Sequence, residues 1–292
     1  MQHVIVECFR GLQGEGMWAG RPSIFVRYGG CNLRCQFGLK CENHSASRDI
    51  PDYIQEVIDN LDHYKEMKDL PVFPNYCDTY TGILPEFQRF WTNYTTEELA
   101  DLIYGLIKDN PNYNDLSDVD LVFTGGEPLL HQNQIIDLLE YLKKQPYGKH
   151  CQNVTFETNG TVAISLENKE RFKEYSMHNE VTFSISPKIS SANYSFNETC
   201  KPHVPANLEE VSSFTILKFV VKEEVDIKMV KEYTEVYQNA GWVGNGVFLM
   251  PCGGKADPSF NETQEVVYDL CVKYGYNFSP RLQMIKKNAW AV

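Results

Sequence analysis

GGCNLRCQFGLKCENH, residues 29–44, places Cys31, Cys35 and Cys41 in one glycine-rich loop, directly after the strand-like run SIFVRYG (23–29). What these thiols hold decides how the rest of the chain is read. A disulfide needs an oxidising compartment. Zinc usually shows two well-spaced Cys/His pairs, and His44 is the nearby candidate to complete a set of Cys31, Cys35, Cys41 and His44. Burial as ordinary small side chains needs no partner at all. An iron–sulfur cluster needs thiolates that approach one face of a cubane.

Composition narrows the choice. Nine cysteines in 292 residues do not make a disulfide scaffold. The opening MQHVIVECFRG lacks a basic region followed by an apolar run, and nowhere do about 18 apolar residues stand together. Reduced thiols, a cytoplasmic address and no membrane partner are the expectation. The net charge of -12 argues against nucleic acid or an anionic surface as partner.

Outward from the loop, apolar runs recur: HVIVE (3–7), VDLVFTG (119–125), NVTFET (153–158), EVTFSIS (180–186), FTILKFVV (214–221) and GVFLM (246–250). Most suit strands buried on both faces, as in parallel sheets. Helical patterns lie between them. TTEELADLIYGLIKD (95–109) carries Leu99, Leu102, Ile103, Leu106 and Ile107 on one stripe, with Thr95 and Glu98 spaced as a capping box. Residues 133–144, 223–241 and 261–275 continue the alternation, the last two ending at Gly241 and Gly275. Alternating strands and helices imply an α/β fold of βαβ units, a parallel sheet or barrel, in one domain over 1–292. Residues 38–75 break the rhythm. They are polar, with a plausible helix from Pro51 to about Met67 whose one face holds Ile54, Val57, Ile58 and Leu61, Asp49 being placed to cap it. This segment reads as an insertion packed on the outside without a catalytic group.

Gly125-Gly126-Glu127-Pro128 follows one strand pattern and precedes a helix, where glycines would let backbone approach a ligand. A plain tight turn would also explain them. Strand, C-x3-C loop, strand and GGEP together resemble the radical S-adenosylmethionine (SAM) enzymes. The resemblance implies a partial (β/α) barrel in which three cysteines hold three irons of a [4Fe-4S] cluster. The fourth iron is then open to SAM. The family spacing is C-x3-C-x2-C with an aromatic before the third Cys. Here Phe37 stands in the aromatic place, but Gly38 stands where that Cys belongs. Cys41 and Cys77 are the two candidates for the third ligand. Cys77 has the family's context, Tyr76 before it and Asp78-Thr79 after it, and 38–75 would then be a helical insertion between the second and third ligands. Loop closure cost grows only logarithmically with length, so such an insertion is tolerable when its ends meet.

Within that superfamily the chain resembles the 7-carboxy-7-deazaguanine synthases. LQGEGMWAGRPSIFVRYGGCNLRC (12–35), CDT (77–79), TGGEPLL (124–130), ETNGT (157–161) and SPK (186–188) follow in that family's order. LMPC (249–252) stands at the family's QP segment, with Met250 in place of Gln, and the tail SPRLQMIKKNAWAV departs further. The resemblance implies a homodimer that converts 6-carboxy-5,6,7,8-tetrahydropterin to 7-carboxy-7-deazaguanine with loss of ammonia, on the route to queuosine and related deazaguanines. A flavodoxin-like or other one-electron reductant is implied as partner.

Carried over by position, Cys31, Cys35 and Cys77 would hold the cluster and Thr79 would ligate Mg2+. Leu12, Gln13, Gly14, Arg27 and Thr124 would contact the pterin, with Glu15 as a further polar contact. Gly126, Glu127, Ser186, Pro187 and Lys188 would meet SAM. Apart from the resemblance, a strand arginine such as Arg27 is more often ion-paired, Thr79 is a plain turn residue, and a strand-end Lys188 is solvated. Three rivals remain: a radical SAM activase acting on a partner protein's glycine, a zinc-binding module, and a degenerate paralogue that keeps only the fold.

Overall fold

The computed structural model describes residues 1–37, 50–73, 77–150, 152–254 and 257–285. Gly38, Cys41, His44, Asp49, Tyr76 and the tail 286–292 lie outside the described residues.

The apolar runs become strands: β1 (Gln2–Leu12), β2 (Pro22–Tyr28), β4 (Asp120–Gly125), β5 (Asn153–Thr158), β6 (Glu180–Ile185), β7 (Phe214–Val221) and β8 (Val247–Pro251). Two short strands join them, β3 (Thr92–Thr95) and β9 (Asn277–Phe278). All nine form one sheet in the order β3-β1-β2-β4-β5-β6-β7-β8-β9. From β2 to β9 every pairing is parallel, whereas β1 runs antiparallel to both β2 and β3. The sheet does not close, since β3 and β9 are its two ends. It is an open, mostly parallel α/β sheet of the partial-barrel kind.

The described α-helices are α1 (Asp52–Asp59), α2 (Tyr80–Ile83), α3 (Thr96–Gly105), α4 (Gln132–Lys144), α5 (Leu166–Ser176), α6 (Phe196–Thr199), α7 (Val204–Glu209), α8 (Asp226–Asn239) and α9 (Phe260–Tyr274), of which α3 to α9 pack on the outer face of the sheet. The capping box at α3 forms as its spacing implies: Thr95 Oγ1 accepts from Glu98 N (3.2 Å), and Thr95 N donates to Glu98 Oε2 (2.8 Å). Gly275 ends α9 in the left-handed region at φ 72°.

The pleat divides each strand between two environments. Phe123, Phe156 and Phe183 are register partners across β4, β5 and β6 and stack at 5.3 and 4.9 Å, buried against the helices. Their immediate neighbours Thr124, Glu157 and Ser184 therefore face the other way, into the barrel. The same alternation turns Arg27 of β2, Lys218 of β7 and Met250 of β8 inward.

Residues 50–90 build a second, smaller core. Ile54 and Val57 of α1 pack with Leu70, Tyr80, Ile83, Leu84 and Phe87. The helix α1 is shorter than the expected Pro51–Met67: it stops at Asp59, and single 3-10 turns at Leu61–His63 and Met67–Asp69 carry the chain onward. Its apolar stripe covers α2, the turn that follows Cys77.

The two cores predict two responses to truncation. Phe156→Ala removes the middle ring of the stack and should lower global unfolding stability by about 3–5 kcal/mol. Ile54→Ala should instead speed amide exchange across 50–90 and leave the central strands protected, because it opens only the smaller core. Exchange measured by mass spectrometry separates the two. Uniform loss of protection in Ile54→Ala would show that the cores unfold as one.

Candidate active site

The inward-facing residues meet at a cavity of about 480 Å³, at the C-terminal ends of the parallel strands. Its volume suits small organic ligands. Arg27, Thr124, Glu157, Lys218 and Met250 reach it from five strands, and Ser186 and Lys188 from the loop after β6.

Cys31, Cys35 and Cys77 line this same cavity. All three are free thiols, packed against Leu33, Phe37, Ala192 and Tyr194. Burial pushes the Cys77 thiol well up, and the charges of Asp78, Cys35 and Cys31 push it further. Three thiols gathered in an apolar setting, the Cys77 thiol opposed in its ionisation by the other two, fit a cationic iron–sulfur group, which would neutralise them together. Among the described residues no three His, Cys, Asp or Glu side chains close round a single ion.

Backbone contacts explain why Cys77, remote in sequence, stands beside Cys31. Gly30 N donates to the carbonyl of Gly82 in α2 (2.7 Å), while Glu127 N donates to Gly30 O (2.9 Å). The cysteine loop is thus clamped between α2 and the turn after β4. Its far side is held as well. Gln36 N donates to Ala192 O (3.3 Å), and Asn193, in the left-handed region at φ 63°, donates its side-chain amide to Gln36 Oε1 (3.0 Å). Leu33 N and Asn159 Nδ2 point at Cys31 Sγ from 3.4 and 3.9 Å, donors of the kind that tune a cluster's potential.

Gly125 and Gly126 serve the loop first. A Cβ on Gly126 would stand 2.0 Å from Gly30 O, and one on Gly125, at φ +132°, 2.0 Å from Tyr28 O. The glycines let two backbones touch, so packing alone accounts for both. Glu127 is fully buried. Its carboxylate accepts from Asn159 N (2.7 Å), Thr158 Oγ1 (2.8 Å) and Leu129 N (3.0 Å), a joint between the ends of β4 and β5. Glu127 and Pro187 are absent from the cavity wall, although both were expected to meet SAM; Thr124, Gly126, Ser186 and Lys188 are on it. Lys188 Nζ donates to Ser186 Oγ (3.0 Å).

Leu12, Gln13 and Gly14 form another side of the wall. Gln13 is buried and donates to Glu157 Oε1 (3.1 Å). Gly14 lies under the C-terminal segment, its carbonyl accepting from Leu282 N (3.0 Å). Arg27 pairs through Nε with Glu7 (2.7 Å) and still lines the cavity. Thr79 lines it next to Cys77 and donates its hydroxyl to Asp78 Oδ1 (3.0 Å).

Sequence reading missed a charged group beside these. Lys218, 2% exposed, lies 2.6 Å from Glu15 and 2.7 Å from Glu157. Arg281 approaches Glu15 at 3.6 Å and Asp78 at 3.2 Å, and donates to the Gly253 carbonyl. Burial acts to raise the Glu15 carboxyl, but Lys218 and Arg281 overcome it and hold the group down at about 2. Burial likewise acts against the Lys218 ammonium, and the two carboxylates reverse it, leaving Lys218 firmly protonated. The available signal was one charge inside the run FTILKFVV.

Comparison with known proteins bears on the family and the fold. The family model described as "4Fe-4S single cluster domain" matches residues 12–199. A protein of Halobacterium salinarum named 7-carboxy-7-deazaguanine synthase is 27% identical over 96% of this chain and 88% of its own length. One of that name from Rickettsia prowazekii is 26% identical over 93% and 82%. Another from Methanothermobacter thermautotrophicus is 30% identical over 60% of this chain, which spans about half (48%) of that relative. The crystal structure of QueE from Escherichia coli shares the fold, with a TM-score of 0.51 at 20% identity over 96% of this chain and 93% of that one. The chain belongs to the 4Fe-4S single cluster domain family and groups within it with the 7-carboxy-7-deazaguanine synthases.

Proposed function

We propose that this chain is a radical SAM enzyme that converts 6-carboxy-5,6,7,8-tetrahydropterin to 7-carboxy-7-deazaguanine with loss of ammonia. The observation that carries the reading is the convergence of Cys31, Cys35 and Cys77, from two separate segments, on one cavity that also holds paired acidic and basic side chains. The named relatives that align over nearly the whole chain support it.

On this reading Cys31, Cys35 and Cys77 hold the cluster, which with bound SAM supplies the one-electron chemistry that starts a radical rearrangement. The protein binds, orients and keeps water out. Ser186, Lys188 and the Gly126 backbone receive SAM at the wall nearest the thiols. Leu12, Gln13, Gly14 and Thr124 receive the pterin, and Arg27 faces its carboxylate with a planar fork, while Glu7 holds the guanidinium from behind. Glu127 acts one step removed, fixing Asn159 and with it the loop of Cys31. Thr79 offers a hydroxyl for a Mg2+ shared with the substrate carboxylate, a hard-cation site that needs few protein ligands. A flavodoxin-like reductant and a homodimeric state complete the proposal. Among the described residues no helix is long and apolar enough to cross a membrane.

Anaerobic turnover with the carboxytetrahydropterin, SAM and a reductant, read by mass spectrometry, tests the reaction. Deazaguanine product is expected; SAM cleavage with no change in the pterin would favour a radical SAM enzyme with another substrate. Cys77→Ala should lose most reconstituted iron and its absorbance near 400 nm, whereas Cys41→Ala should keep both. Full iron in Cys77→Ala would move the third ligand elsewhere. For the metal, Thr79→Ala should retain iron yet form product more slowly and depend less on Mg2+, with Thr79→Ser between it and the parent. Turnover in the unaltered protein that is equally fast with and without Mg2+ would remove this role.

A further inference from the structure

Lys218 is a lysine in the middle of a core strand, and its ammonium is shared between two carboxylates that come from distant parts of the chain. Glu15 follows β1, Glu157 lies on β5 and Lys218 on β7. Each carboxylate takes Lys218 on one oxygen and a side-chain amide on the other: Gln283 Nε2 to Glu15 Oε1 at 2.7 Å, and Gln13 Nε2 to Glu157 Oε1 at 3.1 Å. All five side chains line the cavity.

A tie between strands does not need this arrangement, because apolar residues of similar volume commonly stabilise a core as well or better. A carboxylate has about four acceptor positions, so Glu15 and Glu157 each keep capacity towards the cavity. The Oε1 of Gln283 is buried beside them with no hydrogen-bond partner. Arg281 Nε is likewise buried there without a hydrogen-bond partner, so this part of the wall sets several acceptors beside one donor and can receive the N–H groups of a ligand. Two part-buried carboxylates bonded to one ammonium repel each other less than they would without it; when it is removed, such close like charges favour sharing a proton. One of them would then present a hydroxyl donor where an acceptor is needed.

We infer that Lys218 is a positioning residue: by bonding to both carboxylates it fixes Glu15 and Glu157 as acceptors for the N–H edge of the bound heterocycle. The inference rests on the pterin reading of the site for its ligand, and on the Lys218 contacts for its electrostatics. Among the described residues the charged side chains in ion-pair contact around Lys218 are Glu15, Glu157 and, through Glu15, Arg281, with Asp78 on the far side of Arg281.

The test compares Lys218→Met, Lys218→Arg and the double variant Lys218→Met/Glu157→Gln with the unaltered holoenzyme. Lys218→Met should lower kcat/KM for the pterin by about tenfold or more at pH 7, chiefly through KM. Its pH profile should gain a rising limb above neutrality as the shared proton leaves. Lys218→Arg should remove that limb by restoring the charge. The double variant should remove it too, since one carboxylate has no neighbour to share with. A second readout does not involve turnover. A carboxyl whose folded pKa is raised contributes stability that is lost as pH rises, so the melting temperature of Lys218→Met should fall further below the parent's between about pH 5 and pH 9. This arm holds or fails independently of the pterin reading. A Lys218→Met profile parallel to the parent's, with a melting difference constant in pH, would overturn the inference. Should Lys218→Met not accumulate, the double variant decides, and its failure to fold would overturn the charge account as well.

Discussion

The backbone of Gly126 lies against the carbonyl of Gly30 more closely than any side chain would allow, and the site depends on that contact. One face of the Gly29–Cys31 turn meets the end of β4; the other donates to Gly82 in α2. Remove the close approach and the cysteine loop loses its seat between the two elements that bracket it. The effect of the glycines is thus conveyed through backbone geometry, not through a conformational freedom spent on a ligand. Glu127 completes the arrangement from behind by accepting from two residues at the end of β5 and from the first turn of its own helix. Hydrogen bonds to a buried carboxylate are among the stronger ones available, and here they align three segments.

The inner surface of the sheet shows the opposite balance. Its outer face is a continuous apolar layer, led by Phe123, Phe156 and Phe183. Its inner face gathers the buried Arg27 and Lys218 with the part-buried Glu157. Each charge is tolerated because a partner is within 2.7 Å: Glu7 for Arg27, and both glutamates for Lys218. Such pairs add little net stability, and their value is fixed orientation in a low-dielectric site.

The outer layer was legible in the sequence. Runs such as NVTFET and EVTFSIS carry the aromatic residues that pack under the helices, and their spacing with helical stripes between them gives a mainly parallel α/β sheet. The antiparallel placement of β1 was not legible, because strand direction follows from the connection and not from apolar content. Most of the site was readable only through motifs, and motifs give order along the chain without saying which atoms face the cavity. Glu127 illustrates this: its motif suggests cofactor contact, whereas its carboxylate is consumed by the protein. Lys218, Arg281 and Gln283 were missed for a different reason. Their significance arises from partners 61 to 268 positions away, a separation that local pattern does not encode. The segment 50–73 reads as an appendage from its polarity, yet it supplies Val72 and Phe73 to the cavity and a cover for α2.

That cover has a consequence for assembly. Cys31 and Cys35 extend from the large sheet, while Cys77 introduces a turn that belongs to the smaller core of Ile54, Val57, Tyr80 and Phe87. A cluster held by all three would act as a rivet between two hydrophobic units. Its full coordination would require both units to be docked. The smaller core would then owe part of its anchorage to the metal, beside the backbone bond from Gly30 to Gly82 that already joins the two units.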